Sequence, residues 1–296
     1  MTKNKISNGS ILAAALALGL ASCVRDKLYN TPHPDKGAIV VQMDWSDLLP
    51  EAVADTYILN IDGCEQTVSG DTNCVERLAE PGEHTLMVYN RPDYITIDGD
   101  IASVNETIGG RAADGSDAEE DPYGSLIASL PGYLFSLSRT VVVERDDTLH
   151  IPAKPRQWVR QMDLTLSVAD GDYSRITMVR STLFGVERSV DIRKGERQGT
   201  VAHVRSDFTA GDGNYRVSFR LMGIVPAVHQ VMMIEVYFAN GERQVFGDDI
   251  TELLAAFNDG TEPLRLTSDL YLPLKAGASG SIEGWKIADG GNTDIY

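Results

Sequence analysis

The sequence predicts an all-β protein of two β-sandwich domains, with one short helix in the second domain. Short runs rich in Val, Ile, Tyr and Thr recur along the chain, separated by Gly, Asp, Asn and Pro, which is typical of strands and turns. The 296 residues are more than one small domain needs. Helix signals are confined to one short segment, so both domains are expected to be sandwiches.

The segment 1–22 is typical of a secretory signal peptide. Lys3 and Lys5 precede an apolar run, Ile11 to Leu20, that is too short to span a bilayer. It ends in Leu-Ala-Ser before Cys23, which resembles the lipobox of bacterial lipoproteins. In those proteins the Cys thiol accepts a diacylglyceryl group, the peptidase cuts before it, and the new amine is acylated. We therefore expect Cys23 to carry acyl chains such as palmitate; a plain signal peptide with an incidental Cys is the alternative.

The net charge of −17 limits the possible partners. Removal of the leader takes away two lysines and no acidic residue, so the mature chain is still more acidic. Such a chain is repelled by phosphate backbones and anionic headgroups, which argues against nucleic-acid binding. Attachment to the membrane is therefore expected through acyl chains on Cys23, because two or three chains hold firmly where one does not.

The segment 23–36 is polar and proline-bearing, and we interpret it as a tether between the lipid and the first domain, 37–151. The strands predicted for this domain are Ala38 to Trp45, Thr56 to Ile61, His84 to Asn90, Tyr133 to Val143 and Asp147 to Ile151. Between them, Ile97 to Pro122 is predicted to be a long acidic loop. Its run Asp114 to Asp121 is either a solvated charge cluster or a calcium site, although it lacks the order of an EF-hand loop.

Paired prolines, Pro152 and Pro155, favour a domain boundary there, with the second domain at 152–296. The strands predicted for the second domain are Met162 to Val168, Arg175 to Arg180, Thr200 to Phe208, Tyr215 to Met222, Val231 to Phe238, Arg243 to Phe246, Leu264 to Leu274 and Ser281 to Ile287. Asn240-Gly241 predicts a type I′ hairpin turn. The short helix is predicted from Ile250 to Phe257, with Asp249 as its cap.

Cys64 and Cys74 are the two cysteines that remain once Cys23 is assigned to lipid. An exported compartment permits a disulfide between them, and closing that short loop would stabilise the fold by about 2–3 kcal/mol. The alternatives are two unpaired thiols or a metal site. Two thiols make a poor zinc site because zinc requires four ligands and the nearest histidine in the sequence is His84.

The sequence predicts neither an enzyme nor a cofactor or metal site. No metal-protease, nucleophile-elbow, P-loop or dinucleotide-binding motif occurs, and the five histidines lack the spacing of a metal pair. His84 and His229 lie in strand-like runs and are expected to pack there. Trp45, Trp158 and Trp285 form either core packing or a sugar-stacking platform, and the former is favoured.

Three blocks of the sequence resemble Bacteroidales-type fimbrial anchor lipoproteins of the FimB kind. These are the lipobox with the strand Ala38 to Trp45, the block Leu78 to Asn90, and the late segment Phe246 to Thr251 followed by Gly284-Trp285. His84 stands where that family more usually has Tyr, and the turn before it is one residue shorter. The resemblance implies two transthyretin-like Greek-key sandwiches, no catalytic residues, and subunits joined by β-strand addition. Cys23 is the position it carries over.

The function predicted from these observations is that of an outer-membrane surface lipoprotein, acting as a fimbrial anchor or minor fimbrial subunit. Its expected partners are fimbrial stalk or tip subunits, together with the membrane through Cys23. The alternative is a glycan-binding lipoprotein of an outer-membrane uptake system, which an exposed row of aromatics including Trp158 or Trp285 would favour. A hydrolase is the third hypothesis, and it requires a cluster of carboxylates in a deep pocket.

Overall fold

A computed structural model of the protein describes residues 35–107, 124–211, 213–272 and 279–288. Their regular secondary structure is almost entirely strand, with one four-residue helix and short 3-10 turns, which confirms the all-β prediction. The elements are β1 (Ala38–Met43), β2 (Tyr57–Ile61), β3 (Cys64–Val68), β4 (Thr72–Cys74), β5 (Gly82–Tyr89), β6 (Ile95–Asp98), β7 (Ile101–Val104), β8 (Ser125–Ile127), β9 (Phe135–Val143), β10 (Thr148–Ala153), β11 (Arg156–Gln157), β12 (Arg160–Asp170), β13 (Ile176–Glu187), β14 (Ser189–Asp191), β15 (Glu196–Arg197), β16 (Val201–Asp207), β17 (Thr209–Gly211), β18 (Asn214–Leu221), β19 (Val231–Phe238), β20 (Arg243–Asp249), α1 (Thr251–Leu254), β21 (Leu264–Tyr271), β22 (Ser281–Ile282) and β23 (Lys286–Ile287).

The first sandwich consists of the sheets β10-β1-β4 and β11-β9-β5-β2-β3. Ile39 and Val41 of β1 face Leu59 of β2 and Val88 of β5 in one buried cluster. Trp45 lies at the end of this core, with its ring edge-on to Tyr57 and Phe135 at 5.5 and 5.4 Å. Strand β1 lies between a parallel partner, β10, and an antiparallel one, β4, so the start of the fold is hydrogen-bonded on both sides.

The second sandwich consists of the sheets β17-β18-β12-β21-β22, with β23 also on β21, and β20-β19-β13-β16-β8. The alternation predicted for Met162 to Val168 is realised in β12, where Met162, Leu164 and Leu166 are buried. Leu164 pairs with Val217 of β18 on one side and with Leu266 of β21 on the other. Period-two burial therefore fixes the register of the central strand, because a slip by one residue would turn these side chains outward.

A smaller sheet, β15-β14-β7-β6, joins the two halves of the sequence. Strand β7 pairs with β14, and β8 pairs in parallel with β16. Residues from both predicted domains therefore share sheets, while the linear division into 37–151 and 152–296 stays a prediction.

Three predicted details are wrong in part. The loop expected for Ile97 to Pro122 begins later, because Gly99, with a φ of 57°, turns β6 back onto β7. The β19–β20 hairpin is present, but its turn is not type I′, because Gly241 has a positive φ and Asn240 does not. The turn is closed by a hydrogen bond from the Gly241 N–H to the Phe238 carbonyl. Helix α1 is shorter than predicted and is followed by a 3-10 turn at Phe257–Asp259. The segment Asp114 to Asp121 lies outside the described residues.

Candidate functional site

Cys23 lies outside the described residues, in which the first β-bridge is formed by Gly37. At that point the chain enters the first sandwich through main-chain bonds in both directions between Gly37 and Ala79, at 3.0 and 2.9 Å. The Lys36 ammonium lies 2.9 Å from the Glu80 carboxylate. The predicted tether therefore leads directly into a hydrogen-bonded segment of the fold.

His84 is held between two acceptors at this entry. Its Nδ1 lies 2.5 Å from the Asp62 carboxylate and its Nε2 lies 2.6 Å from the Glu80 carbonyl oxygen. Both ring nitrogens must donate to satisfy these contacts, so the geometry favours the imidazolium. The bond to Asp62, then the bond to Glu80, raises the pKa of His84. The Thr85 N–H and His84 lower the pKa of Asp62 in turn.

His84 and His229 were both expected to pack within strands, and this is correct for His84 only. His84 lies in β5 with 13% of its side chain exposed. His229 lies before β19 with 79% exposed, paired to Asp249 at 2.7 Å, so its expected strand packing is wrong. The strand that follows His229 begins at Val231, so His229 itself lies outside it.

Cys64 opens β3 and Cys74 ends β4, and the structure contains no disulfide between them. The Arg77 guanidinium donates to the Cys64 sulfur at 3.3 Å. The Gln66 amide, on the same face of β3 as Cys64, donates to the Cys74 carbonyl at 3.1 Å. The two cysteines thus lie on neighbouring edges of the first sandwich, and their pairing stays a prediction.

Open sheet edges are the feature that strand addition requires, because an edge strand has unpaired N–H and C=O groups. Among the described residues, β20 is the longest edge strand, with seven residues. The six-residue edge β10 contains Pro152, which has no N–H to offer. The five-residue edge β3 is covered, because the Gln66 side chain bonds the neighbouring Cys74 and Glu76.

The main-chain groups of β20 alternate between β19 and the open side. At one end the Ile250 N–H donates to the Gln230 carbonyl, and at the other the Phe238 N–H donates to the Glu242 carbonyl, both at 2.9 Å. In an antiparallel ladder every second residue makes such bonds. The residues between, Arg243, Val245, Gly247 and Asp249, therefore direct their N–H and C=O groups away from β19.

A cleft of about 330 Å³ lies beside β20, between the two sheets of the second sandwich. Its apolar lining comprises Met232, Ile234, Phe246, Ile282 and Trp285. Phe246 is half-buried, so the inward face of β20 is incompletely covered. The segment Gly280 to Trp285 forms the wall opposite β20 and is bonded to two β20 side chains. Gln244 accepts from the main-chain N–H of Gly280 at 2.9 Å, and Asp248 accepts from the main-chain N–H of Trp285 at 3.4 Å. An added strand at β20 would find main-chain partners and an apolar recess together.

The tryptophans form no exposed platform in the part of the chain that the structure describes. Trp158 and Trp285 are only 3% and 5% exposed, and Trp45 is half-buried in the first core. Core packing, the favoured hypothesis for all three, is confirmed. The described ranges also contain no cluster of three or more His, Cys, Asp or Glu residues placed to hold a metal ion. Within these ranges no helix has the length and apolar character needed to cross a membrane.

Comparison with known proteins finds matches at the level of structure. No protein-family model matches the sequence, and no curated protein does. The fimbrial anchor protein Mfa2 of Porphyromonas gingivalis superposes with a TM-score of 0.55 and 10% identity, over 85% of this chain and 97% of that one. This chain shares its fold with a fimbrial anchor. The fold implied by the resemblance in sequence is thereby confirmed.

Two Bacteroides structures give similar values. A candidate adhesin of Bacteroides ovatus matches with a TM-score of 0.56 and 16% identity, over 84% of this chain and 93% of that one. A candidate polysaccharide-binding protein of Bacteroides thetaiotaomicron matches with a TM-score of 0.53 and 11% identity, over 86% and 99% of the two chains. None of the three is described as an enzyme.

The open edge of β20 was missed in the sequence because edge position is a property of topology. Arg243 to Phe246 has the pattern of one strand of a hairpin, and nothing local shows that no other described strand pairs with its second side. The signal that was present is Gly247 together with Asp248-Asp249, because Gly and charged residues are common on edge strands.

Proposed function

We propose that the protein is a surface lipoprotein of the outer membrane that acts as a fimbrial anchor or minor fimbrial subunit. The observation that carries the proposal is the fold shared with the Mfa2 anchor across 85% of this chain. The lipobox ending at Cys23 supports the lipid attachment, and the acidic composition supports acyl chains rather than a basic surface as its means.

Subunit joining is proposed at the edge of β20. A strand laid along it would accept and donate at the alternate positions that β19 leaves open, including Val245 and Gly247. Its alternate side chains would enter the cleft beside Phe246. Main-chain bonds would supply affinity there, and the shape of the cleft would supply specificity.

The edge is tested with a proline at an outward position. Val245→Pro removes one outward N–H and leaves the bonds to β19 in place, so the fold is retained while strand addition fails. Val245→Thr is the matched control, because it keeps the N–H and the branched shape. The measurement is co-isolation of the tagged protein with fimbrial polymer from washed outer membranes. Equal recovery of polymer with both variants would rule out β20 as the joining edge.

The anchor is tested separately with Cys23→Ala. Without the thiol no diacylglyceryl group can be attached, so the variant is expected in the soluble fraction after membrane washing. Wild-type length and attachment of the fimbriae in a strain that carries only Cys23→Ala would contradict the anchoring role. If the variant is released from the membrane and the fimbriae do not change, lipid attachment through Cys23 is supported and the role as a fimbrial anchor is refuted.

Glycan binding is the second candidate, favoured by the fold shared with the candidate polysaccharide-binding protein. The stacking platform that would have favoured it is not formed by Trp158 or Trp285, since both are buried. Retention of the protein in polysaccharide-containing native gels, together with an unchanged fimbrial phenotype on deletion, would favour this candidate over the anchor.

A further inference from the structure

Two arginines, one in β11 and one in β15, place their guanidinium groups against the same tryptophan ring. The guanidinium carbon of Arg156 lies 4.4 Å from the centroid of the Trp158 ring, and that of Arg197 lies 5.5 Å from it. Each contact is a favourable cation–π interaction. The two positive charges repel each other, however, and this local concentration of cations stands out in a chain with 43 acidic and 26 basic residues.

Among the described residues, neither guanidinium has an ion pair or a side-chain hydrogen bond. Arg197 Nε is buried without a partner. The nearby carboxylate of Glu187 is already occupied, because it accepts the N–H groups of Ser189, Gly199 and Thr200. Desolvation, and then Arg156, lower the pKa of Arg197 to about 10. The carboxylates of Glu187 and Asp259 act on Arg197 through space, and neither is hydrogen-bonded to its guanidinium. A desolvated cation without a hydrogen-bonded anion is unfavourable, so the pair is incomplete in the protein alone.

The backbone makes room for this arrangement. At Gly223, with a φ of 152°, a Cβ would lie 2.3 Å from Arg197 Nε and 2.7 Å from Asn258 Oδ1. Any side chain there would displace Arg197 from its place beside Trp158. The position of the guanidinium therefore depends on a glycine in the following loop.

A polar cleft of about 620 Å³ adjoins the pair, within the size range of small-ligand sites. Arg156 and Asn258 belong to its wall, and Asn258 also neighbours Arg197 at Gly223. The remaining polar side chains of the lining are Ser46, Asp47, Lys154, Gln157, Asp259, Thr261 and Glu262. Asp47 is paired with Lys154 at 2.9 Å, which leaves Asp259 and Glu262 as the negative groups.

We propose that this cleft binds a small saccharide that carries a carboxylate. The carboxylate lies at the guanidinium of Arg156 and neutralises the Arg156–Arg197 pair, because planar guanidinium and carboxylate groups match in geometry. The sugar hydroxyls donate to Asp259 and Glu262 and bond Thr261 and Ser46. Carboxylates in the same lining disfavour a polyanion, so the ligand has one acidic group and several hydroxyls. The site does not depend on the anchoring role.

The test compares a disaccharide with one uronic-acid unit against the neutral disaccharide of the same rings, with sodium acetate as the bare anion. Isothermal titration to the full mature chain is expected to give binding of the acidic sugar at least about fivefold tighter than either comparison compound. Equal affinity of the acidic and the neutral sugar, or the absence of binding up to about 10 mM, would overturn the proposal.

Arg156→Gln is the main variant, because Arg156 is exposed and its replacement leaves the fold intact. It is expected to weaken the acidic sugar at least about fivefold and to leave the neutral sugar unchanged. Arg216→Gln removes an exposed cation from β18, away from the cleft, and should not affect either sugar. If both variants weaken binding of the acidic sugar equally, the loss is due to the change in net charge of the protein, and the proposed site is refuted.

Arg197→Met supplies a second readout. It replaces the desolvated cation with an apolar side chain of similar length, so the ligand-free protein is expected to unfold at an equal or higher temperature. The upward shift of the unfolding temperature caused by the acidic sugar should be lost. If Arg197→Met retains the full sugar-induced shift, Arg197 is not part of the site.

Discussion

The contacts of His84 with Asp62 and Glu80 predict a pH-dependent contribution to the free energy of unfolding, and the substitution His84→Phe is expected to remove it. Phe keeps a ring of similar size in β5 but cannot donate to the Asp62 carboxylate or the Glu80 carbonyl. Charge-assisted hydrogen bonds contribute about 1.5–3 kcal/mol when buried. Asp62 is 48% exposed while His84 is 13% exposed, so solvent screening reduces the expected loss to about 1–2 kcal/mol.

The pH window follows from the two pKa shifts. The pKa of His84 is raised above its ordinary 6.5, so its contribution is complete below 6.5 and is lost as the pH rises through the folded-state value. The pKa of Asp62 is lowered below its ordinary 3.8, so its contribution is complete above 3.8 and is lost as the pH falls through the folded-state value. The stabilisation is therefore largest between 3.8 and 6.5.

Urea unfolding of wild type and His84→Phe at about pH 5 and about pH 9 measures this difference. The free-energy gap between the two proteins is expected to be larger at the lower pH. His229→Phe is the matched control, because His229 makes the same type of contact to Asp249 with 79% of its side chain exposed. A gap for His84→Phe that is equal at both pH values, or no larger than that of His229→Phe, would refute the reasoning.

Two further predictions concern the cysteines and a glycine. In oxidised mature protein, Cys64→Ser and Cys74→Ser should each lower the free energy of unfolding by about 2–3 kcal/mol relative to wild type, and should be equal to each other. Two titratable thiols in unreduced protein would show that the pair is not bonded. Gly124→Ala should lower the free energy of unfolding by more than about 2 kcal/mol, because a Cβ at Gly124 would lie 2.0 Å from the Val201 carbonyl oxygen. Gly63→Ala is its control, with a similar positive φ of 88° and nothing within 4 Å, and similar losses for both would mean that backbone strain rather than the clash decides.

Strand positions could be predicted from this sequence where burial alternates. Met162, Leu164 and Leu166 specify the register of β12 because the core lies on one side of the strand. The loop predicted for Ile97 to Pro122 starts too early because Gly99 and Asp100 form the turn between β6 and β7, and the residue types that mark loops also form two-residue hairpin turns. Pairing of β7 with β14 depends on contacts between residues far apart in the sequence, which local pattern does not encode.

The residues of the candidate sites were harder to predict for a related reason. Arg156 and Arg197 are 41 positions apart, and only the fold brings them to the same ring. His84 was expected to pack within its strand, and it does so, but its ion pair with Asp62 depends on how the β2–β3 turn folds back. Asp62 has a φ of 50°, a conformation that Asp tolerates better than most residues, and this turn directs its carboxylate toward β5.

The edge of β20 and the cleft beside Trp158 differ in how well their proposed functions tolerate amino-acid substitution. Strand addition at β20 uses main-chain N–H and C=O groups, which every non-proline residue supplies, so an edge and its cleft survive extensive substitution. The cleft beside Trp158 depends instead on the guanidinium groups of Arg156 and Arg197 and on Gly223, and likeness of fold carries none of these side chains from one chain to another. Joining should accordingly tolerate exchange of exposed side chains on β20, whereas recognition of the acidic sugar should be lost with single substitutions.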